Sequence, residues 1–301
     1  MDNISKITIS FCEGPHDTAF LYRILKTKCF ESFKGTLDKL PKVVGDFVIS
    51  KNKMAEYNLL KVDSLKNDFV PYKIMHKDEE LILLYSLGGD KDATEDENNK
   101  RLIILKHFFK NIKINVEDKD NHGEAFVSEN NSDTLLEYKF LFFYDADEDK
   151  DEKLNIINKY LEKMNISDTL KHNEIKKQDG YSIGAYIFLN ENDKGALEDI
   201  LFDLMKKENE VIFDKAEEFL MLKEDARLKR LKIECKSQVI EKRDKKQKIN
   251  TYKSIIGVTG QIQNSGVSNV VTIEHSDYLN LQKLNASMKV QEIINFFAKQ
   301  V

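Results

Sequence analysis

Glu13, Asp145 and Asp147 are the residues whose types and spacing best suit chemistry. Each follows an apolar run: Ile7-Thr-Ile-Ser-Phe-Cys12 precedes Glu13, and Phe140-Leu-Phe-Phe-Tyr144 precedes Asp145-Ala-Asp147. An Asp-x-Asp at a strand end aims two carboxylates at one pocket. Oxygen-only clusters of this kind suit hard cations such as Mg²⁺ or Mn²⁺. Carboxylates gathered at one sheet edge repel each other unless a cation sits between them. The run Asp145-x-Asp147-x-Asp149 also has the form of a plain acidic turn, or of a helix N-cap with acidic first-turn residues. An EF-hand loop is excluded, because Lys150 stands where that loop requires glycine.

The elements that must position these groups follow from the apolar pattern. Residues 7–12 read as a strand ending at Glu13-Gly14-Pro15, followed by a helix with Asp17 as its N-cap and apolar residues at helical spacing up to Leu25. A second strand over 80–87 stops at Gly88-Gly89-Asp90, and 102–112 reads as a helix. The unbroken run 140–144 suits a strand buried on both faces. A helix over about 152–164, a strand over 184–189, a turn at 190–195 and a helix over 196–205 complete the pattern. Strands alternating with helices predict an α/β layer with a mostly parallel sheet, whose ligands bind outside the carboxyl ends of the strands. Residues 35–79 read as an insertion or as extra strands packed on the side. The charged stretch 206–250 reads as helical, 251–266 as turn-rich, and 288–299 as an amphipathic helix.

Basic residues cluster at Arg227, Lys229 and Arg230 and again at Lys242 and Arg243, the places where a nucleic-acid backbone would be contacted. Glutamates lie close by in sequence, so a solvated helix laced with i,i+4 ion pairs is the other reading of that stretch. Lys253 is the preferred cation for neutralising transition-state charge, against simple surface solvation. His16 lies beside Glu13 and Asp17 and could line a site or merely be solvated. Cys12 reads as a buried structural cysteine.

Composition narrows the classes. The 301 residues carry 47 Lys and Arg against 52 Asp and Glu, a net charge of −5, with 41% hydrophobic residues. That is enough apolar material for a sizeable core, and mild acidity argues against a protein whose main task is coating nucleic acid. No run approaches the roughly 18 apolar residues of a membrane helix. The first residues show no basic n-region followed by an apolar stretch, so a cytoplasmic protein without membrane contact is expected. Three scattered cysteines support neither a disulfide framework nor a cysteine zinc site.

Taken together, Phe11-Cys-Glu13-Gly14-Pro-His-Asp17-Thr-Ala-Phe-Leu-Tyr-Arg-Ile-Leu25, the glycine turn after the middle strand, and Phe142-Phe-Tyr-Asp145-Ala-Asp147 resemble the Toprim domain. That catalytic domain is shared by topoisomerases, bacterial primases, OLD (overcoming lysogenization defect) nucleases and small RNA-maturing nucleases. The block Gly184 to Asp199 looks like that of small standalone Toprim-like bacterial proteins. The resemblance implies a Toprim-like core over 1–205, with the insertion at about 35–79, and a mainly helical C-terminal extension over 206–301. Glu13 would be a metal ligand or general acid/base, and Asp145 and Asp147 would hold Mg²⁺ or Mn²⁺. Gly14, with Gly88 and Gly89, would let the backbone approach a phosphate. Glu198 and Asp199 would complete a second metal site, or simply complement a helix dipole.

Neither the tyrosine-bearing domain of topoisomerases nor the zinc module of primases has a counterpart here, and no Gly-x-x-x-x-Gly-Lys-[Ser/Thr] is present. The resemblance therefore implies a standalone, Mg²⁺-dependent endonuclease acting on DNA or RNA. It would be similar to the effectors of bacterial anti-phage defence systems controlled by a separate ABC-type ATPase. Two alternatives stand beside it. One is a non-catalytic Toprim-like binding module for a nucleotide or partner protein. The other is a different phosphoryl-transfer enzyme on the same fold. Homo-oligomer formation is left open by the sequence.

Overall fold

A computed structural model describes residues 4–52, 61–62, 65, 69–88, 99–120, 136–167, 169–190, 192–222 and 247–299. Its centre is a seven-stranded sheet. The strands are β1 (Lys6–Cys12), β2 (Glu31–Ser32), β3 (Lys73–Lys77), β4 (Glu80–Ser86), β5 (Glu137–Asp145), β6 (Glu174–Gln178) and β7 (Tyr181–Phe188), in the order β2-β3-β4-β1-β5-β7-β6. The middle strands β4, β1, β5 and β7 are mutually parallel. The outer strands β2, β3 and β6 run antiparallel to their neighbours.

The helices are α1 (Pro15–Lys26), α2 (Lys42–Asn52), α3 (Lys100–Asp120), α4 (Lys150–Lys163), α5 (Leu197–Lys206), α6 (Glu210–Met221), α7 (Gln247–Gln263), α8 (Asn269–His275), α9 (Leu281–Ala286) and α10 (Met288–Ala298). They cover both faces of the sheet, which explains why the central strands read as unbroken apolar runs. On one face Ile7, Ile9, Phe11, Phe140 and Phe142 pack against α2, α3 and α4. On the other, Cys12, Leu84, Leu141, Phe143 and Phe188 pack against α1 and the helices from α5 onward.

The expected α/β architecture with a mostly parallel sheet and a helical C-terminal region is what the chain adopts. The described residues after 206 do not stand apart from it. Phe297 stacks on Phe143 with ring centroids 5.0 Å apart, and Phe296 meets the same ring edge-on at 5.7 Å. Burying such rings contributes about 1.5–3 kcal/mol each. With α1 and α5, the described C-terminal helices thus form one layer of the sandwich. Within the 35–79 insertion, α2 packs on the sheet and β3 extends it, as extra strands packed on the side would.

The stretch 251–266 departs from expectation. Most of it lies in α7, and only Gly266, at φ 83°, turns the chain. Gly257 and Gly260 face α8 instead: an added Cβ at Gly257 would lie 3.0 Å from Asn269 Oδ1, and one at Gly260 would collide with Thr272. These glycines allow two helices to approach closely, which sequence alone reads as turn chemistry. None of the described helices is long and apolar enough to cross a membrane.

Candidate functional site

The carboxyl ends of β1, β4, β5 and β7 bring Glu13, Gly88, Asp145 and α5 to the same edge of the sheet. Immediately after β1, Gly14 caps α1, and Asp17 is the third helical residue rather than the cap. Gly14 N–H donates to Asp17 Oδ2 at 2.7 Å, so the Asp17 side chain bends back to the strand end. The expectation of Asp17 as N-cap is corrected by three residues, because Pro15 already fits the first helical position. An added Cβ at Gly14 would meet only Asp17 Oδ2, at an ordinary 3.8 Å. Packing by itself therefore does not demand glycine there.

Asp145 ends β5 and accepts a 2.7 Å hydrogen bond from Leu197 N–H at the start of α5. Asp147 follows at φ 50°, held by paired backbone bonds with Gly195 of 2.7 and 2.8 Å. A non-glycine residue in that left-handed region carries some strain, which persists where the surroundings over-determine it. Two residues on, Asp149 accepts from Asp151 and Glu152 N–H and caps α4. The acidic run is therefore a helix cap at Asp149 and a strand-end pair at Asp145 and Asp147 together.

Lys153, one turn into α4, lies between the two strand-end loops. Its ammonium is 3.4 Å from Glu13 Oε1 and 2.9 Å from Asp147 Oδ2. A side-chain cation thus occupies the position that mutual repulsion between carboxylates demands. Deeper in, burial pushes the Asp17 carboxyl up to about 8, with Glu13 and Glu198 adding repulsion against its Gly14 hydrogen bond. Burial also raises Asp145 well above the usual carboxylate range, helped by Asp17 and Glu198. Five carboxyl groups, those of Glu13, Asp17, Asp145, Asp147 and Glu198, are linked by these interactions.

Glu198 pairs differently. Its Oε1 lies 3.0 Å from His16 Nδ1 and 3.1 Å from Lys253 Nζ. Burial opposes its charge, but the His16 hydrogen bond and the Lys253 ammonium outweigh it and hold Glu198 below its ordinary range. Lys253 loses some basicity to burial, yet Glu198, Asp145 and Asp17 more than restore it. Glu198 Oε2 is buried and has no hydrogen-bond partner among the described residues. An orphan of that kind marks a place for a bound water or a ligand's polar group. Asp199 turns away, accepting from Ala196 N–H at 2.9 Å as the cap of α5. Of the two residues implied for a second metal site, Glu198 thus pairs with His16 and Lys253, and Asp199 closes the capping box of α5.

Of the other expected residues, Gly88 sits in the turn after β4 at φ 80°, a backbone that favours glycine. Its carbonyl accepts from the buried Arg101 guanidinium at the start of α3, which also lies over the Tyr144 ring at 5.3 Å. Gly89, Arg227, Lys229, Arg230, Lys242 and Arg243 lie outside the described residues. Lys253 is at the site, reached from a helix rather than a turn. Lys153 and Arg101 were missed by sequence reading. Lys153 falls four residues after the Asp149 cap, one turn on and over the same face. Arg101 carried no signal among so many basic residues.

The donor set is right for a divalent cation: carboxylate oxygens with an ammonium already seated between two of them. Among the described residues, however, no three His, Cys, Asp or Glu side chains stand close enough to ligate one ion as they are placed. Lys153 and the Leu197 N–H hold oxygens that an ion would need.

Fold and site together define an α/β sandwich with a carboxylate-rich cleft at its strand ends. The sequence matches the family described as "Protein of unknown function (DUF3226)" over residues 9–299, and the chain belongs to that family. No curated protein matches it. It is similar to a solved structure, that of the hypothetical protein PH0156 from Pyrococcus horikoshii OT3, at 15% identity and a TM-score of 0.45, over 97% of this chain and 94% of that one.

Proposed function

We propose that this protein is a divalent-metal-dependent phosphodiesterase of Toprim type, a nuclease acting on DNA or RNA in the cytoplasm. The observation that carries the reading is the seat of Lys153 between Glu13 and Asp147, beside a half-buried Asp145 of raised proton affinity. Glu13, Asp145 and Asp147 would hold Mg²⁺ or Mn²⁺, which when bound supplies an activated water and charge neutralisation at a phosphodiester.

The chain's own residues do the rest. Lys253 brings a positive charge to the cleft from the C-terminal layer, suited to the charge that develops on phosphoryl oxygens. Lys153 neutralises Glu13 and Asp147, the oxygens that a divalent cation would take. Gly14, at the start of α1, is the proposed point of backbone approach to a phosphate, its N–H here donating to Asp17 Oδ2. The basic residues from Arg227 to Arg243 are the proposed contacts for the nucleic-acid backbone. The Toprim resemblance supports a separate ABC-type ATPase as the controlling partner.

A second reading, a binding module without turnover, draws on the placement of the carboxylates, no three of which converge on a single ion among the described residues. One experiment separates the two. The purified protein is offered plasmid, single-stranded DNA and total RNA with Mg²⁺, Mn²⁺ or EDTA, beside Glu13→Gln. Metal-dependent cleavage that disappears in the variant is expected. Inertness toward every substrate would favour the binding module.

A further inference from the structure

We infer that His16 is the proton-transfer residue of this cleft, positioned by Glu198 and, behind it, Lys253. The inference deepens the phosphodiesterase reading and rests on it.

Three elements far apart in sequence build the arrangement. His16 is the second residue of α1, Glu198 the second residue of α5, and Lys253 lies on α7. They meet at one atom, Glu198 Oε1, 3.0 Å from His16 Nδ1 and 3.1 Å from Lys253 Nζ. The Glu198 side chain is only 3% exposed, whereas His16 keeps 20% of its surface open. A solvated turn histidine would not have a buried carboxylate waiting for one of its nitrogens.

The chemistry follows from the donor inventory. An ionised carboxylate only accepts hydrogen bonds, so the His16 nitrogen facing Glu198 carries the hydrogen. The neutral ring then has its lone pair on Nε2, and its orientation is fixed by the bond at Nδ1. Lys253 keeps Glu198 ionised, so it sustains the tautomer without touching the ring. His16 stands in the first turn of α1, just after Glu13, and its partner Glu198 acts electrostatically on Asp17 and Asp145, which sets the ring beside the strand-end carboxylates.

In phosphodiester hydrolysis, Nε2 accepts a proton from the attacking water as the O–H bond breaks. The water oxygen's electron pair forms the new P–O bond. The bond to the leaving oxygen breaks with its pair going to that oxygen. The proton is then released from the imidazolium to the leaving oxygen or to solvent, and the neutral ring returns. Glu198 stabilises the transient imidazolium, as the orienting carboxylate of a catalytic triad does. His16 is the catalytic residue, and Glu198 and Lys253 are positioning residues.

The test compares the parent with His16→Ala and Glu198→Gln on whichever nucleic acid the parent cleaves, with Mn²⁺ binding measured in parallel. His16→Ala is expected to lower kcat by about 100-fold or more, with KM and Mn²⁺ affinity unchanged, and free imidazole should restore part of the rate. Glu198→Gln should cost roughly 10–100-fold while His16 is present. Nitrogen NMR of the resting parent should report hydrogen on His16 Nδ1. A fully active His16→Ala, a loss that imidazole leaves untouched, or hydrogen on Nε2 would overturn the role of His16 alone. A parent that cleaves no phosphodiester would instead remove the phosphodiesterase reading, whatever the NMR result.

Discussion

The two ends of the sheet carry similar residue types and treat them differently. At the amino ends of the strands, charges are matched and wet. Lys6 faces Glu137 at 4.0 Å with both about half exposed, Thr8 donates to Glu80, and Lys139 caps the carbonyls of Phe297 and Lys299. A groove of about 660 Å³ opens there, floored by Ile82, Leu25 and Phe297. At the carboxyl ends carboxylates crowd together, and burial raises the proton affinity of Asp17 and Asp145. Matched charge and crowded carboxylates thus sit at opposite poles of the sheet. What distinguishes the proposed site is this crowding of carboxyl groups, whose shifted proton affinities are the kind that gather at functional sites.

The largest effect that would sharpen this contrast is on cleavage. Glu13→Gln or Asp145→Asn should abolish it, a loss of about 10³-fold, while circular dichroism shows the fold retained. Full activity in either variant would dissolve the distinction between the poles.

Stability against pH comes next. Asp17 titrates near 8 in the folded chain against 3.8 as its ordinary value, and Asp145 is displaced in the same direction. Between about pH 4 and 8 the folded state therefore holds protons that the unfolded state has lost, so these groups make stability fall as pH rises through that window. Denaturant melts in a chelator should show this decline, and Asp17→Asn should flatten it and raise stability at pH 8. A slope unaltered by Asp17→Asn would break the account of that carboxyl.

Lys153→Met should increase Mn²⁺ affinity by about tenfold, or 1.4 kcal/mol, by freeing Glu13 and Asp147 from their internal counter-ion. Calorimetric titration checks this, and weaker binding would mean that Lys153 assists the ion rather than standing in for it. The smallest effect belongs to the other pole. Glu137→Gln should change stability by less than about 0.5 kcal/mol, read from denaturant melts, and leave cleavage untouched.

Much of this architecture is legible in the sequence because burial on both faces forces unbroken apolar runs. Residues 140–144 could hardly be anything but a central strand. The edge strand β6, Glu-Ile-Lys-Lys-Gln, is not legible, since an edge is protected by charge and so looks like a loop. In the site, Glu13, Asp145 and Asp147 announce themselves by following strands. Lys153, Arg101 and the Glu198–His16–Lys253 junction do not, because their meaning lies in contacts across α1, α3, α4, α5 and α7 that no local pattern encodes. Gly257 and Gly260 mislead for a related reason: their partner, α8, is a tertiary neighbour.

The central claim is that the strand-end carboxylates form a divalent-cation site. The most direct measurement is Mn²⁺ binding, followed by electron paramagnetic resonance, to the parent, Glu13→Gln, Asp145→Asn and Glu137→Gln. Saturable binding in the parent and in Glu137→Gln, lost in the other two, is the predicted result. Absence of saturable binding in the parent, or binding that survives intact in both Glu13→Gln and Asp145→Asn, would contradict it.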